Sequence, residues 1–252
     1  MGMRGRHFQL LGALLLSALQ YLLSIQVQAS DGFFRAFPSN TSNVLANVSL
    51  IATTDSLYHG LTESTENPNL AINGELLVGE YWFAGVLTGV ARADQIKERH
   101  QPLNAYAGFE ALLPINSPTH WYAGTTVTHR KFLNSNKEWD YWEYSGQIRN
   151  SAGFSASIDY APDYYAHRTT AVVSQLSYFY DFSDRYFTHT NIGYAAFSNT
   201  SDYIFGHVSI GRIFHQSSIE LGYFWHNHPN EYRFRDPIQD NMLRFSFSHR
   251  LR

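Results

Sequence analysis

Residues 69–92 read NLAINGELLVGEYWFAGVLTGVAR, and the way this stretch pairs with itself decides the fold. A two-residue turn at Gly79-Glu80 predicts a hairpin in which Val78 faces Tyr81, Leu76 faces Phe83, Gly74 faces Gly85, Ile72 faces Leu87 and Leu70 faces Gly89. That face carries no charge. The other face mixes Leu77, Trp82, Glu75, Ala84, Asn73, Val86, Ala71 and Thr88, a set that tolerates some water. One side suits hydrocarbon and the other a filled or wet interior, which is the pattern of a membrane β-barrel rather than of a soluble sandwich.

The rest of the chain repeats this alternation. Val44, Ala46, Val48, Leu50 and Ala52 alternate with Leu45, Asn47, Ser49, Ile51 and Thr53 in the segment 43–61. Leu103 to Leu113 keeps a period of two over its whole length. A strand follows from about His120 to Arg130. Trp142, Tyr144, Gly146 and Ile148 then oppose Tyr141, Glu143, Ser145, Gln147 and Arg149. Beyond a turn at Asn150-Ser151, Phe154, Ala156, Ile158 and Tyr160 oppose Ser155, Ser157 and Asp159.

Further strands carry Val172, Leu176, Tyr178 and Tyr180, then the segment from Tyr186 to Ala195, then Ile204, Gly206, Val208 and Ile210, then Ile219, Leu221, Tyr223 and Trp225. The last sets Leu243, Phe245, Phe247, His249 and Leu251 against Arg244, Ser246, Ser248 and Arg250. The count is about twelve, each near the roughly nine to eleven residues that a tilted strand needs to cross a bilayer. Short turns near 79, 114, 150, 182 and 216 alternate with longer polar loops near 65, 97, 135, 165, 199 and 233, as in outer-membrane barrels with both termini in the periplasm. Ala93 to Pro102 reads as one of those loops. Tyr81, Trp121, Trp139, Trp142, Tyr160, Tyr180, Tyr186 and Trp225 fall near strand ends, where interfacial aromatic girdles belong.

Composition excludes several alternatives. The 252 residues contain 15% charged and 16% aromatic residues, a low charge content for a fully water-exposed surface. Mean hydropathy is −0.29 and only the N-terminus has a long apolar run, so a helical membrane protein is excluded. With no cysteine there is no disulfide framework, and a net charge of −3 without a basic cluster gives nucleic acid no purchase. In MGMRGRHFQLLGALLLSALQYLLSIQVQAS, Arg4 and Arg6 precede the apolar run, and Val27 and Ala29 occupy the small-residue cleavage positions. Residues 1–29 are therefore read as a signal peptide, 30–42 as a periplasmic leader and 43–252 as the barrel.

The segment VSLIATTDSLYHGLTESTENPNLAINGELLVGEYWFAGV resembles the amino-terminal signature of the TorF-type porin family, also known as the Gcw_chp family of conserved outer-membrane proteins. The matching residues are Thr54, Asp55, Tyr58, Gly60, Pro68, Gly74, Phe83, Ala84 and Gly85, over about forty residues; the remainder matches only as a succession of strands. The resemblance implies an outer-membrane barrel with porin activity and carries over no defined solute. The chain departs from the usual barrel pattern in ending Leu251-Arg252 instead of on the aromatic residue read by the barrel-insertion machinery.

The inward positions hold Glu110, Arg130, Glu143, Gln147, Arg149, Asp159, Glu220, Arg244 and Arg250. Lining a channel, these would create a transverse field that sorts small hydrophilic solutes by charge and size; paired across a plug, they would hold a closed barrel in shape. A barrel of about twelve strands lies between the filled eight-stranded kind and the open porins, so both readings stand. A lipid-modifying hydrolase is the third reading, drawn from His189 beside Thr190 and Asn191 with Ser198 and Ser201 across a loop. His226 and His228, with Glu231 nearby, have the spacing of a loop metal site, but such a segment is more often a solvated polar loop. No motif calls for a cofactor. The expected surroundings are outer-membrane lipid and small solutes, with the oligomeric state undefined.

Overall fold

The computed structural model describes residues 44–55, 57–59, 61–62, 68–93, 98–133, 139–166, 168–227 and 241–251. The strands are β1 (Val44–Thr53), β2 (Leu57–Tyr58), β3 (Leu61–Thr62), β4 (Asn69–Val78), β5 (Trp82–Ala93), β6 (Glu98–Leu113) and β7 (Trp121–Leu133), followed by β8 (Tyr141–Asn150), β9 (Phe154–Ala161), β10 (Ala171–Ser183), β11 (Tyr186–Phe197), β12 (Tyr203–Phe214), β13 (Ser217–His226) and β14 (Asn241–Leu251). A single turn of 3₁₀ helix, Tyr164–Ala166, lies between β9 and β10. All but β2 and β3 form one closed antiparallel barrel of twelve strands, in which β1 pairs with β14 from Val48 opposite Leu251 to Thr53 opposite Ser246. Closure leaves no free edge, so backbone polar groups are satisfied around the ring, as strands that cross a membrane require.

The outer face is zoned. Ile158, Leu176, Ile192, Val208 and Leu221 form an exposed aliphatic band at mid-height. Trp142, Tyr144, Tyr160, Tyr194 and Tyr223 flank it toward the long loops, and Phe154, Tyr180, Phe182, Tyr186 and Phe214 toward the short turns. Aliphatic groups between two aromatic rows match hydrocarbon bounded by headgroups. Trp139 departs from the expected girdle: it packs edge-on against Phe132, with ring centroids 5.9 Å apart, and joins an aromatic cluster of the barrel interior.

The opening hairpin turns differently from the sequence expectation. Leu77 pairs with Phe83 and Val78 with Trp82, so three residues, Gly79-Glu80-Tyr81, make the turn, with Gly79 at φ +62°. A one-residue change of register exchanges the two faces of a strand. β4 keeps Leu70, Ile72, Leu76 and Val78 outside as expected, but on β5 Trp82 is 60% exposed and Phe83 only 2%. Neighbouring strands explain the choice. Outside, Trp82 meets Phe109 edge-on at 5.1 Å. Inside, Phe83 occupies space that exists because its partner is Gly108, where a Cβ would lie 2.2 Å from the Phe83 ring. Phe83 and Leu87 therefore join Ile51, Ala71, Leu77 and Tyr106 in an apolar cluster on the inner wall, which is drier there than the alternation implied.

Strand lengths also differ. β5 runs to Ala93 and β6 begins at Glu98, with Ala91 opposite His100 and Arg92 opposite Arg99, so much of the expected polar loop at 93–102 is ladder. Hydrogen bonding continues above the bilayer, whereas apolar alternation stops where the lipid does. β1 ends at Thr53, and the chain beyond it turns inward.

Candidate functional site

The barrel interior is the candidate site, and its polar wall is built by the period of two. Glu110, Arg130, Glu143, Arg149, Asp159, Glu220 and Arg244 are buried and Gln147 is half-buried, all on strands whose alternate residues face lipid. They fall into separate groups. On β6 and β8, Arg149 grips Glu110 through Nε to Oε2 at 3.0 Å and Nη2 to Oε1 at 2.5 Å, while Gln147 Nε2 donates to the same carboxylate at 3.4 Å. The Arg149 guanidinium also lies 4.2 Å from the Tyr122 ring centre. Two parallel N–H donors on one carboxylate fix both groups in orientation as well as in charge.

Glu220 lies within reach of Ser209, Ser246 and Arg244 on β12 and β14. Five strands lie between β7 and β13 in either direction around the ring, so this group stands on the wall opposite Arg130. Between these charged groups runs an amide and hydroxyl ladder: Asn191 Nδ2 donates to Ser177 Oγ at 2.9 Å and Gln175 Oε1 at 3.3 Å, and Gln175 Nε2 donates to Asp159 Oδ2 at 3.3 Å.

The third group is the mouth at the long-loop end. After β1 the chain folds into the barrel as the two-stranded β2–β3 hairpin, which inserts Tyr58 and His59, 2% and 1% exposed. The Tyr58 hydroxyl donates to Glu143 Oε2, and the Arg130 guanidinium stacks 3.5 Å from the centre of the Tyr58 ring. His59 Nε2 lies 3.6 Å from Asp159 Oδ2 and 3.9 Å from Glu143 Oε2, and the Tyr203 hydroxyl donates to the His59 carbonyl at 2.9 Å. Tyr141, Tyr164 and Phe132 pack around the inserted hairpin. Three of the expected interior residues, Arg130, Glu143 and Asp159, thus converge on a loop.

Sequence reasoning passed over Tyr58 and His59 as site residues. Tyr58 enters only as a family match, and both residues fall in the segment 43–61 expected as the first strand; the loss of apolar alternation after Thr53, followed by an aromatic-histidine pair, is the available signal.

The remaining sequence candidates separate. His189 faces inward and its Nδ1 lies 3.1 Å from His207 Nε2, with no serine hydroxyl among its described ring contacts. Thr190 belongs to the alternate, outward set, and its hydroxyl donates to the Tyr178 carbonyl at 3.4 Å. Ser198 Oγ accepts from the Thr170 amide at 3.0 Å, in the long-loop region. The hydroxyls of Thr190 and Ser198 are therefore engaged elsewhere than on the His189 ring. His226 is buried at the end of β13, while His228 and Glu231 lie outside the described residues, as do residues 1–43 with the expected signal peptide and leader. Among the described residues no cluster of three metal-ligating side chains forms.

No protein-family model and no curated protein matches the sequence. Among solved structures, the chain is similar to the KdgM porin at 8% identity, over 81% of this chain and 98% of that one, with a TM-score of 0.47. It is similar to an outer membrane channel from Pseudomonas putida F1 at 12% identity, over 88% and 99% of the two chains, with a TM-score of 0.44. It is also similar to the outer membrane protein opdK from Pseudomonas aeruginosa at 12% identity, over 73% and 57%, with a TM-score of 0.41.

Proposed function

We propose that the protein is a porin-like channel of the bacterial outer membrane that lets small hydrophilic solutes diffuse passively, with no covalent chemistry. The observation that carries this reading is the polar wall inside a lipid-facing ring, with charged groups on opposite sides. Such a wall sorts permeants by charge and size. Hydrogen-bonding capacity supports it too: Asn47 Oδ1, Ser49 Oγ, Asn69 Oδ1 and Asn104 Oδ1, on the adjacent strands β1 and β4 and on β6, have no partner among the described residues. Groups of this kind hold a partner in any stable interior, and water or a solute hydroxyl is what an aqueous path offers.

The short turns then face the periplasm and the β2–β3 hairpin lies at the outer mouth. Export through a signal peptide at 1–29, insertion by the barrel machinery and membership of the TorF-type family belong to the same proposal. Glu110, Arg130, Glu143, Gln147, Arg149, Asp159, Glu220 and Arg244 are its channel-lining residues.

A specific observation favours a second reading. Tyr58 and His59 are so deeply buried in the mouth that a closed structural barrel would look the same there. Purified protein reconstituted in planar bilayers separates the two. Discrete current steps are expected, and a heat-modifiable, folded preparation that yields none would leave the closed barrel.

A further inference from the structure

The β2–β3 hairpin does more than narrow the mouth, because of the charges it meets. The groups around the inserted Tyr58-His59 pair come from several elements: His59 meets Tyr58 beside it in the chain, Glu143 on β8, Asp159 on β9, Tyr164 of the 3₁₀ turn and Tyr203 on β12, while Arg130 on β7 stacks on Tyr58 and lies near Tyr141 on β8. Asp55 is buried a few residues earlier in the same segment. The Tyr58 and His59 rings lie 3.9 Å apart, so the two side chains enter as a unit. The contacts of the Tyr58-His59 pair thus include two carboxylates, Glu143 and Asp159, and the Arg130 guanidinium.

We propose that this hairpin is a proton-sensitive constriction favouring small cations: neutral His59 leaves Glu143 and Asp159 in excess over Arg130, and protonated His59 cancels that excess while fastening the hairpin to both carboxylates. The proposal rests on the channel reading and deepens it by naming the permeant class and its control. Two attractions act at once on protonation. The charge that Glu143 and Asp159 present at the mouth is offset, which removes the preference for cations. The imidazolium also gains the carboxyl groups of Asp159 and Glu143 as partners across 3.6 and 3.9 Å among buried side chains, which holds the hairpin down. Neutral His59 leaves the hairpin held by the Tyr58 hydroxyl, the Arg130 stack and the Tyr203 hydroxyl, contacts that do not depend on the histidine's charge.

The test uses reversal potentials and single-channel conductance in a potassium chloride gradient. At about pH 8 the permeability ratio of potassium to chloride should exceed one, and at about pH 5 it should approach one with a lower conductance. His59→Gln keeps size and polarity without titrating, and should hold the high-pH behaviour at both values. Anion preference at about pH 8, or an undiminished pH response in His59→Gln, overturns the proposal.

A second readout does not depend on current. The chain has no cysteine, so Leu57→Cys places a single thiol at a position 7% exposed in the inserted hairpin. An impermeant thiol reagent whose reactivity is corrected for pH should label it more slowly at about pH 5 than at about pH 8, and His59→Gln should abolish the difference. Absence of current together with this labelling difference would sink the channel reading and its cation preference while leaving the proton-sensitive strap; labelling without any pH difference would sink the strap itself.

Discussion

Replacing Arg149 with methionine tests whether the inner wall is dry where Glu110 and Arg149 pair. Glu110 is 1% exposed, and the guanidinium supplies two of its hydrogen bonds, at 3.0 and 2.5 Å. Methionine keeps most of the volume and removes the charge, leaving Glu110 with the longer Gln147 contact at 3.4 Å. Removing one partner of a buried, hydrogen-bonded ion pair costs about 3–5 kcal/mol, because the other charge stays uncompensated. In equilibrium terms that is roughly two to four powers of ten in the folded fraction.

Unfolding in guanidinium from phospholipid vesicles, followed by tryptophan fluorescence and checked by the heat-modifiable gel band, reads the loss. The paired variant Glu110→Leu with Arg149→Met should recover much of it, giving a coupling of at least about 1 kcal/mol. Arg149→Lys should fall between the two, since an ammonium keeps the charge and loses the bidentate fork. A single Arg149→Met variant that costs only about 0–1 kcal/mol, the value of a hydrated surface pair, would refute the reasoning and place water against this wall.

Three other outcomes follow from different parts of the barrel. Gly211→Ala would put a Cβ 1.9 Å from the Phe187 ring and should destabilise by about 1–3 kcal/mol in the same unfolding assay, with Phe187→Leu restoring part of the loss. Leu176→Arg, in the exposed aliphatic band, should cost about 2–4 kcal/mol in vesicles, whereas Tyr180→Arg nearer the short turns should cost about 0–1; equal costs would contradict the zoning of the outer face. In the loop 198–202 the Tyr194 hydroxyl, and then the Phe197 amide, hold the Asp202 carboxyl below its ordinary value. A depressed carboxylate contributes above its unfolded value and is lost as pH falls through the folded one, so Asp202→Asn should speed hydrogen exchange at the Phe197 amide at neutral pH and change little once the carboxyl is protonated.

The alternation of residue types determined most of what this chain is. A period of two with greasy residues on one face and polar residues on the other fixes strands of bilayer length, and a lipid-facing outside can be combined with satisfied backbone only by closing the ring. The interior position of Glu110, Arg130, Glu143, Arg149, Asp159, Glu220 and Arg244 follows from that parity alone, since a side chain's face is set by its place in its own strand. Parity within a strand does not fix parity across a turn. On β5 the faces depended on whether two or three residues turned the hairpin, and what settled it was the space opposite Phe83 at Gly108 and the aromatic contact outside at Phe109, both on the next strand.

The upper limits of β5 and β6 were equally hidden, because backbone pairing continues into water where the pattern of side chains no longer records it. Hardest to read was the mouth. Tyr58 and His59 lie in the short β2–β3 hairpin past Thr53, where the alternation of the first segment has given out, and their partners lie on β7, β8, β9 and β12, some 70 to 145 residues away in the chain. Local sequence sets which face a residue takes; only the closed ring brings a loop's two rings against carboxylates and a guanidinium on separate strands, because that meeting depends on the barrel's curvature and not on any neighbour in the chain.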